Sequence, residues 1–125
     1  MKHYQELKKI IKNAYAPYSK FMVAALLETE KGDFIGVNVE NSSYPLSMCA
    51  ERNAIGAAIG GGAKNFKTLY LLSSSKKNNV TPCGACRQVI SEFANGNMPV
   101  YVYSITGKYK KYTLKQLLPF AFKLK

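Results

Sequence analysis

Three cysteines, the only ones in the chain, constrain this sequence more than any other feature. They lie in two short motifs, Cys49-Ala50-Glu51 and Pro82-Cys83-Gly84-Ala85-Cys86. An odd number of thiols argues against a framework of paired disulfides. A structural zinc site is closed by four protein ligands, whereas a catalytic site leaves its fourth position to water. Three soft ligands, with a carboxylate two residues after one of them, therefore indicate an open metal site that has its own proton carrier.

The C-x-x-C spacing taken alone is compatible with two other kinds of site. It occurs in thiol redox proteins, and it occurs as half of a structural zinc finger. A redox pair would form a reversible Cys83–Cys86 disulfide without metal, and it leaves Cys49-Ala50-Glu51 without a role. A finger needs a fourth ligand, and the only histidine, His3, lies near the N-terminus. We interpret His3 as a surface residue of a helix.

The composition is typical of one globular domain, residues 1–125. Hydrophobic residues make up 47% of the chain, which is a folded rather than a disordered composition. No apolar run reaches the ~18 residues of a membrane span, and the first residues lack the apolar segment of a signal peptide. We therefore expect a cytoplasmic protein with no membrane partner, whose thiols stay reduced and available to a metal.

The net charge of +11 comes from 18 Lys and Arg residues against 7 Asp and Glu residues. Such a balance is found in nucleic-acid-binding proteins. Here the lysines are scattered, and the two arginines, Arg52 and Arg87, both lie beside the cysteines. Because Arg is the residue that makes bidentate contacts to bases and phosphates, the pattern argues against a nucleic-acid partner.

Hydrophobic periodicity and turn residues divide the chain into alternating helices and strands. Helices are predicted over His3–Tyr15, Ser47–Ile59, Pro82 to about Phe93, and Thr113–Leu118, with Thr113 as an N-cap. Strands are predicted over Phe21–Glu30, Phe34–Glu40, Phe66–Ser73, Val100–Ser104 and Lys108–Tyr112. The first two strands form a hairpin around Lys31-Gly32-Asp33, and Ser74–Thr81 is a polar loop. Strands that alternate with helices indicate an α/β domain with a single sheet.

Both cysteine motifs fall at predicted helix starts. Cys83 and Cys86 are three residues apart and so share one face of a first turn. Cys49 and Glu51 are only two apart, but side chains of a first turn tilt toward the N-terminus, so both can reach an ion beyond the helix end. We expect two helix N-termini to converge on one zinc ion, because their positive dipole ends stabilise thiolates.

Arg52 and Arg87 are the expected neighbours of these thiolates. Three thiolates on Zn²⁺ leave a formal charge of about −1 on the site. Each arginine directly follows a motif residue, Glu51 or Cys86. Either guanidinium could therefore offset the negative charge by donating to a thiolate.

Further short motifs accompany the cysteines along the chain. Zinc deaminases carry the pattern H-x-E…P-C-x-x-C, with a third Cys as a variant of the His. The additional motifs are AYAPYSKF at 14–21, VNVEN at 37–41, MCAER at 48–52, PCGACRQ at 82–88 and LLPFAF at 117–122. In these motifs, which cover nearly all of its length, the chain resembles the small cytidine deaminases that act on free nucleosides. The resemblance implies a three-layer α/β/α domain around a mixed five-stranded sheet, one Zn²⁺ per subunit, and a homotetramer with shared active sites.

The resemblance also implies roles for individual residues. Cys49, Cys83 and Cys86 would hold zinc, and Glu51 would carry protons. The residues implied to bind substrate are Phe21, Asn38, Glu40, Tyr44, Ala50 and Phe122.

Among the substrate-binding residues, Asn38 and Glu40 would hydrogen-bond the ribose 3′-hydroxyl, and Phe21 would pack against the nucleoside. Phe122 would reach a neighbouring subunit's site, and Tyr44 would help to line one. The family often has Gly after the L-L-P motif, where this chain has Phe120.

The implied activity is hydrolytic, zinc-dependent deamination of cytidine and deoxycytidine to uridine and deoxyuridine with release of ammonia, as in pyrimidine salvage. A carboxylate at Glu40 would repel the phosphate of a polynucleotide, which favours a free nucleoside. Two alternatives retain the zinc motif. One is a deaminase of another aminopyrimidine, such as an antibiotic or an RNA base. The other is a non-catalytic, zinc-stabilised RNA-binding domain, which would be indifferent to Glu51.

Overall fold

A computed structural model of the chain describes residues 1–77 and 80–124 and shows a five-stranded sheet between two layers of helices. The strands are β1 (Val23–Thr29), β2 (Gly32–Val37), β3 (Phe66–Ser73), β4 (Pro99–Ser104) and β5 (Tyr109–Thr113). The helices are α1 (Tyr4–Ile10), α2 (Ala50–Gly60), α3 (Gly84–Phe93) and α4 (Leu114–Leu117). The spatial order is β2-β1-β3-β4-β5. Only the β3–β4 pair of this sheet is parallel, so the expected mixed sheet is confirmed.

Side chains of the central strands point alternately to the two faces of the sheet, and each face has its own hydrophobic core. Ala25, Leu27 and Leu71 face the layer that contains α2, α3 and α4. Their neighbours Ala24 and Leu26 face α1 on the other side. Because successive strand residues point to opposite faces, an unbroken apolar strand serves both layers, as expected for a sheet covered on both sides.

The β1–β2 hairpin turns one residue earlier than its sequence predicts. Its turn is Glu30-Lys31, and Thr29 pairs with Gly32 across it. Gly32 has a φ of 105°, a conformation that glycine adopts without steric cost. Strand β2 consequently begins at Gly32 and ends at Val37, whereas a strand over Phe34–Glu40 was predicted.

Helix α1 is shorter than predicted because the chain turns back to the sheet. It ends at Ile10 and continues as a single 3-10 turn over Ile11–Asn13. Tyr15 then forms a bridge with Val39, which requires extended backbone. The predicted helix over His3–Tyr15 was therefore wrong at its C-terminal end.

The start of α2 lies three residues later than predicted, at Ala50 instead of Ser47. Met48 pairs with Val39 through two backbone hydrogen bonds of 2.8 and 2.9 Å. This pairing holds the backbone extended as far as Cys49, so helical geometry begins only after the cysteine.

Close contact between β2 and α2 positions this helix start. A methyl group at Gly36 would lie 2.4 Å from the Ala50 carbonyl oxygen and 2.5 Å from the Ala54 nitrogen. The Asn53 side chain also donates through Nδ2 to the Val37 carbonyl at 2.7 Å. The N-terminal turn of α2 therefore lies directly on the end of β2.

The C-terminal elements agree with prediction. Thr113 caps α4 through a capping box with Gln116, and β5 lies within a residue of its predicted range.

The predicted polar loop Ser74–Thr81 includes Asn78 and Asn79, which lie outside the described residues. Over the described part of the chain, the helices lack the combination of length and apolarity needed to cross a membrane.

Candidate metal centre and active site

The three cysteines come together at two helix N-termini. Cys49 is the N-cap of α2, Cys83 is the N-cap of α3, and Cys86 lies in the first turn of α3. Their Sγ atoms all lie within 4.8 Å of one another. Cys86 is buried, Cys49 is half-buried and Cys83 is exposed, so the cluster opens to one side.

The spacing of these sulfur atoms suits a zinc ion. Zn–S bonds of about 2.3 Å in a tetrahedron place sulfur atoms about 3.8 Å apart. A set of three thiols within 4.8 Å needs only small adjustments to reach that geometry. Three soft donors with one open side are also the donor set of a catalytic rather than a structural zinc site.

The two N-caps differ from the expected local geometry. The sequence placed Cys49 inside a helix and Cys83 in a helical first turn, but both have extended backbone, with ψ values of 150° and 165°. Their carbonyl oxygens accept the first helical hydrogen bonds, from Asn53 and Arg87. Each thiol can therefore lie beyond its helix end, which is how both helices reach one point.

Arg52 supports the cluster as the sequence predicted. Its Nη2 lies 3.7 Å from Cys49 Sγ and donates to the Ser47 carbonyl at 3.4 Å. The pKa of Cys49 is lowered to about 5, first because the Cys86 thiol donates a hydrogen bond to it and then because of Arg52. The pKa of Cys86 is raised, because it is the donor in that bond and because it is buried. The guanidinium of Arg52 therefore favours negative charge on the Cys49 sulfur.

The sequence allowed either arginine to donate to a thiolate, and Arg87 has other partners. Its guanidinium donates instead to the carbonyl oxygens of Pro82 and Leu117 and to the hydroxyl of Thr81. The side chain extends back along the loop that precedes Cys83.

Glu51 lies in the first turn of α2, beside the cysteine cluster, and its side chain is almost wholly buried. Burial raises the pKa of its carboxyl group, and the nearby negative charge of Cys49 adds to the effect. A carboxyl group with a raised pKa is suited to both accepting and returning a proton near neutral pH.

A cavity of about 350 Å³ opens over the cluster. Its walls include the cysteines Cys49 and Cys83 and the predicted residues Phe21, Asn38, Glu40, Tyr44, Ala50 and Glu51. Phe21 and Tyr44 are exposed in this single chain. The volume is within the range of small-molecule sites.

Asn38 and Glu40 line the cavity and also hold one of its walls. The Asn38 side chain accepts from the Val23 amide at 2.9 Å and donates to the Phe21 carbonyl at 2.8 Å. Glu40 accepts from the backbone amides of Tyr18 and Ser19 at 3.0 and 3.1 Å. These contacts bind the segment that carries Phe21 to the end of β2.

The carboxyl group of Glu40 is kept ionised by the same contacts. Hydrogen bonds from the Ser19 hydroxyl and from the backbone amides of Ser19 and Tyr18 lower its pKa. Ser19 also accepts from the Phe21 amide at 3.0 Å. Sequence reasoning assigned no role to Ser19, although it stands in the same short motif as Phe21.

Other wall residues were treated in the sequence only as parts of strands or loops. Val23, Leu71 and Ser73 lie on β1 and β3, and Thr81 precedes Pro82. Their positions in apolar strands and a polar loop gave no signal of a site, because the pattern of a core strand is the same whether its end faces a cavity or not.

Phe122 lies away from this cavity in its own chain. It is largely exposed, and its carbonyl oxygen accepts from the Gln88 amide at 3.2 Å. The neighbouring Phe120 is fully exposed, with a φ of 54°.

His3 is not the surface helix residue that its sequence suggested. It precedes α1 with a φ of 63°, and its imidazole contacts the Glu28 carboxylate at 2.9 Å and the Glu6 carboxylate at 3.3 Å. His3, Glu28 and Asp33 form a second cluster of potential ligand atoms. Lys2 already pairs with Glu28 at 2.7 Å, so this cluster is an ion-pair network that attaches the N-terminus to the sheet.

Known proteins resemble this chain in both sequence and fold. A family model described as the cytidine and deoxycytidylate deaminase zinc-binding region matches residues 1–102. A cytidine deaminase of Sporosarcina psychrophila is 48% identical over 118 residues, which cover 94% of this chain and 86% of the relative. One from Mycoplasma genitalium is 34% identical over 119 residues, covering 95% and 92%.

The fold comparison agrees with the sequence comparison. The crystal structure of a cytidine deaminase from Burkholderia pseudomallei matches with a TM-score of 0.88 and 38% identity, covering 94% of each chain. All three cysteines of the cluster lie within the span of the matched family model. The chain belongs to the family of zinc-dependent cytidine and deoxycytidylate deaminases.

Proposed function

We propose that this chain deaminates free cytidine and deoxycytidine, with zinc held by Cys49, Cys83 and Cys86. The observation that carries the proposal is that the three thiols cluster within 4.8 Å of one another, while Cys49, Cys83 and Glu51 line one 350 Å³ cavity. Relatives that match this chain over most of their length are named cytidine deaminase, which supports cytidine as the substrate. The reaction consumes water and releases uridine and ammonia.

A zinc ion held by Cys49, Cys83 and Cys86 would supply Lewis acidity, which can lower the pKa of water to about 7. The protein's part of the chemistry lies with Glu51. Its carboxylate would accept a proton from the attacking water and return it to N3 of the pyrimidine. A second transfer through the same group would move the proton of the new 4-hydroxyl to the 4-amino group, so that the C4–N bond breaks, ammonia leaves and the 4-carbonyl of uridine forms. Burial of Glu51 keeps bulk water from competing for these protons.

Asn38 and Glu40 would orient the sugar. Both line the cavity, and the lowered pKa of Glu40 provides an ionised acceptor for a ribose hydroxyl. The same negative charge disfavours a phosphate at that position. A free 3′-hydroxyl therefore suits the cavity better than a 3′-phosphate or the 3′ linkage of a polynucleotide.

A comparison of substrates tests the proposal. Ultraviolet absorbance should fall with time for cytidine and deoxycytidine, with kcat/KM about 10- to 100-fold higher than for cytosine, cytidine 3′-monophosphate or a cytosine-containing oligonucleotide, because these lack the hydrogen bond to Glu40. A preference for the oligonucleotide, or equal rates on cytosine and cytidine, would contradict the assignment of the sugar contacts.

The proposal extends to the whole molecule as one domain, residues 1–125, that assembles as a homotetramer in the cytoplasm and acts in pyrimidine salvage. Exposed apolar side chains near the cavity mouth and in the C-terminal segment support assembly, since monomers rarely expose such groups together. They are Tyr44, Leu46, Met48, Phe120, Phe122 and Leu124. Light scattering from the purified protein should give the mass of four chains, and a monomer that is fully active would contradict shared sites.

A further inference from the structure

The guanidinium of Arg87 joins three separate parts of the molecule. Its Nε donates to the Pro82 carbonyl at 2.7 Å, its Nη2 to the Thr81 hydroxyl at 2.7 Å, and its Nη1 to the Leu117 carbonyl at 2.6 Å. Within residues 1–77 and 80–124, no carboxylate forms an ion pair with it. The charge of Arg87 is therefore used to hold backbone and hydroxyl oxygens.

Two of these bonds act on the residues immediately before Cys83. Pro82 is buried, and its carbonyl oxygen belongs to the peptide bond that leads to Cys83. Thr81 lies in the cavity wall. Because Arg87 is one residue beyond Cys86 on α3, it ties the extended loop that carries Cys83 to the helix that carries Cys86.

The third bond attaches α4 to the same point. The Leu117 carbonyl is at the end of α4, where carbonyl groups have no partner within the helix. Leu117 and Leu114 are buried in the core that α4 shares with α3, and Thr113 caps the start of α4. Arg87 thus holds the loop before Cys83 against a helix that is itself anchored in the core.

We infer that Arg87 is a positioning residue for Cys83, which it keeps in place relative to Cys86 through Pro82, Thr81 and α4. The inference rests on the proposed function only in taking Cys83 and Cys86 as zinc ligands. Cys83 needs such support because it is exposed and lies outside the helix. Partners that orient a ligand typically change metal affinity 10- to 100-fold when they are removed.

The test compares Arg87→Gln, Arg87→Lys and Ile90→Val in the full-length protein loaded with zinc. Ile90 is buried on the same helix, so Ile90→Val lowers stability without touching the loop before Cys83. The first measurement is the rate of zinc transfer to a chromogenic chelator well below the unfolding temperature. The second is amide hydrogen exchange of residues 81, 83–86 and 114–118 in the same zinc-loaded protein.

Arg87→Gln is expected to lose zinc about 10- to 100-fold faster than the unmodified protein, whereas Ile90→Val should lose it at the unmodified rate. Arg87→Lys should behave like Arg87→Gln, because one ammonium cannot reach three acceptors in a fixed fork. In both Arg87 variants, the rate of amide hydrogen exchange should rise in the loop and helix start at 81–86 and also in the C-terminal segment at 114–118.

Three results would overturn the inference. They are zinc loss from Arg87→Gln no faster than from Ile90→Val, full rescue by Arg87→Lys, or unchanged exchange in the C-terminal segment. Turnover of cytidine is measured separately on the unmodified protein. If that protein holds zinc but does not deaminate cytidine, the proposed function fails while the role of Arg87 is still decided by the zinc and exchange measurements.

Discussion

Glu51 is the residue on which the proposed chemistry depends most. It is buried beside the cysteine cluster, and its pKa is raised mainly by that burial. Glu51→Gln has nearly the same volume but cannot accept a proton. We expect turnover to fall about 10²- to 10⁴-fold, the usual contribution of general acid–base catalysis, while zinc content stays at one ion per chain. Steady-state kinetics with metal analysis of the same sample checks this, and near-normal turnover would remove Glu51 from the role.

Glu40 should affect substrate binding rather than the chemical step. We expect Glu40→Ala to raise KM for cytidine by about 10- to 100-fold, the loss of a hydrogen bond to a charged group, with a smaller change in kcat. Glu40 also accepts hydrogen bonds from the Tyr18 and Ser19 backbone amides, so its loss could disturb the cavity wall. The KM values of the variant and the unmodified protein must therefore also be measured with 3′-deoxycytidine as the substrate. If Glu40 binds the 3′-hydroxyl, the two proteins should have similar KM values for that analogue. An equal rise for both substrates would instead assign Glu40 to the support of the cavity wall.

The residues of the site were predictable to different degrees. Cys49, Cys83, Cys86 and Glu51 could be grouped from spacing, because metal chemistry allows few arrangements of three thiols and a carboxylate. The direction of Arg87 could not be predicted, since a long side chain next to a motif can extend either to the ion or back along the chain. Asn38 and Glu40 also form hydrogen bonds with a segment some 20 residues away in sequence. No local sequence pattern predicts such a pairing.

At the scale of the elements, the starts of α2 and α3 decide where the thiols lie. Helix propensity predicted both starts two or three residues too early. For α2 the bridge between Val39 and Met48 competes with helix formation and keeps the chain extended up to Cys49. The number and order of the helices and strands were predictable because the apolar periods are clear, whereas boundaries set by tertiary pairing were not.

Gly36 tests whether the contact between β2 and α2 positions the site. Its added methyl group in Gly36→Ala would overlap the Ala50 carbonyl and the Ala54 nitrogen. We expect a loss of about 1–3 kcal/mol in the free energy of unfolding, as for overpacked cores, together with reduced kcat/KM because Ala50 and Glu51 move. Denaturant unfolding and kinetics measure the two effects.

Gly56→Ala is the matched control for Gly36→Ala. Gly56 lies on the exposed side of α2 with open space around its Cα. Alanine there should stabilise the helix by about 1 kcal/mol and leave kcat/KM unchanged. Equal behaviour of the two variants would show that the contact at Gly36 does not position the active site.

Across the whole molecule, the N-terminus is attached to the sheet by charge. The carboxyl group of Glu28 is disfavoured as an ion by burial, but hydrogen bonds from Lys2 and His3 outweigh this and hold its pKa below the usual value. A depressed pKa in the folded state stabilises the fold above the unfolded-state pKa of about 4.3. That stabilisation is lost as the pH falls through the folded-state pKa.

Glu28→Gln should therefore lower the free energy of unfolding at about pH 7 by about 1 kcal/mol or less, the range of partly exposed ion pairs. The difference from the unmodified protein should shrink as the pH falls to about 3. Urea unfolding of both proteins at the two pH values measures it, with Glu92→Gln, an exposed change on α3, as the control. A difference that grows in acid would contradict the assigned sign.

Deamination by this protein is proposed to depend on one metal ion held by three thiols beside the cavity. Its most direct measurement is cytidine turnover, followed by ultraviolet absorbance, before removal of metal, after removal by a chelator, and during titration with zinc. We predict that activity disappears with the metal and returns in proportion to added zinc up to one ion per chain. Undiminished turnover in protein shown to contain no metal would contradict the account.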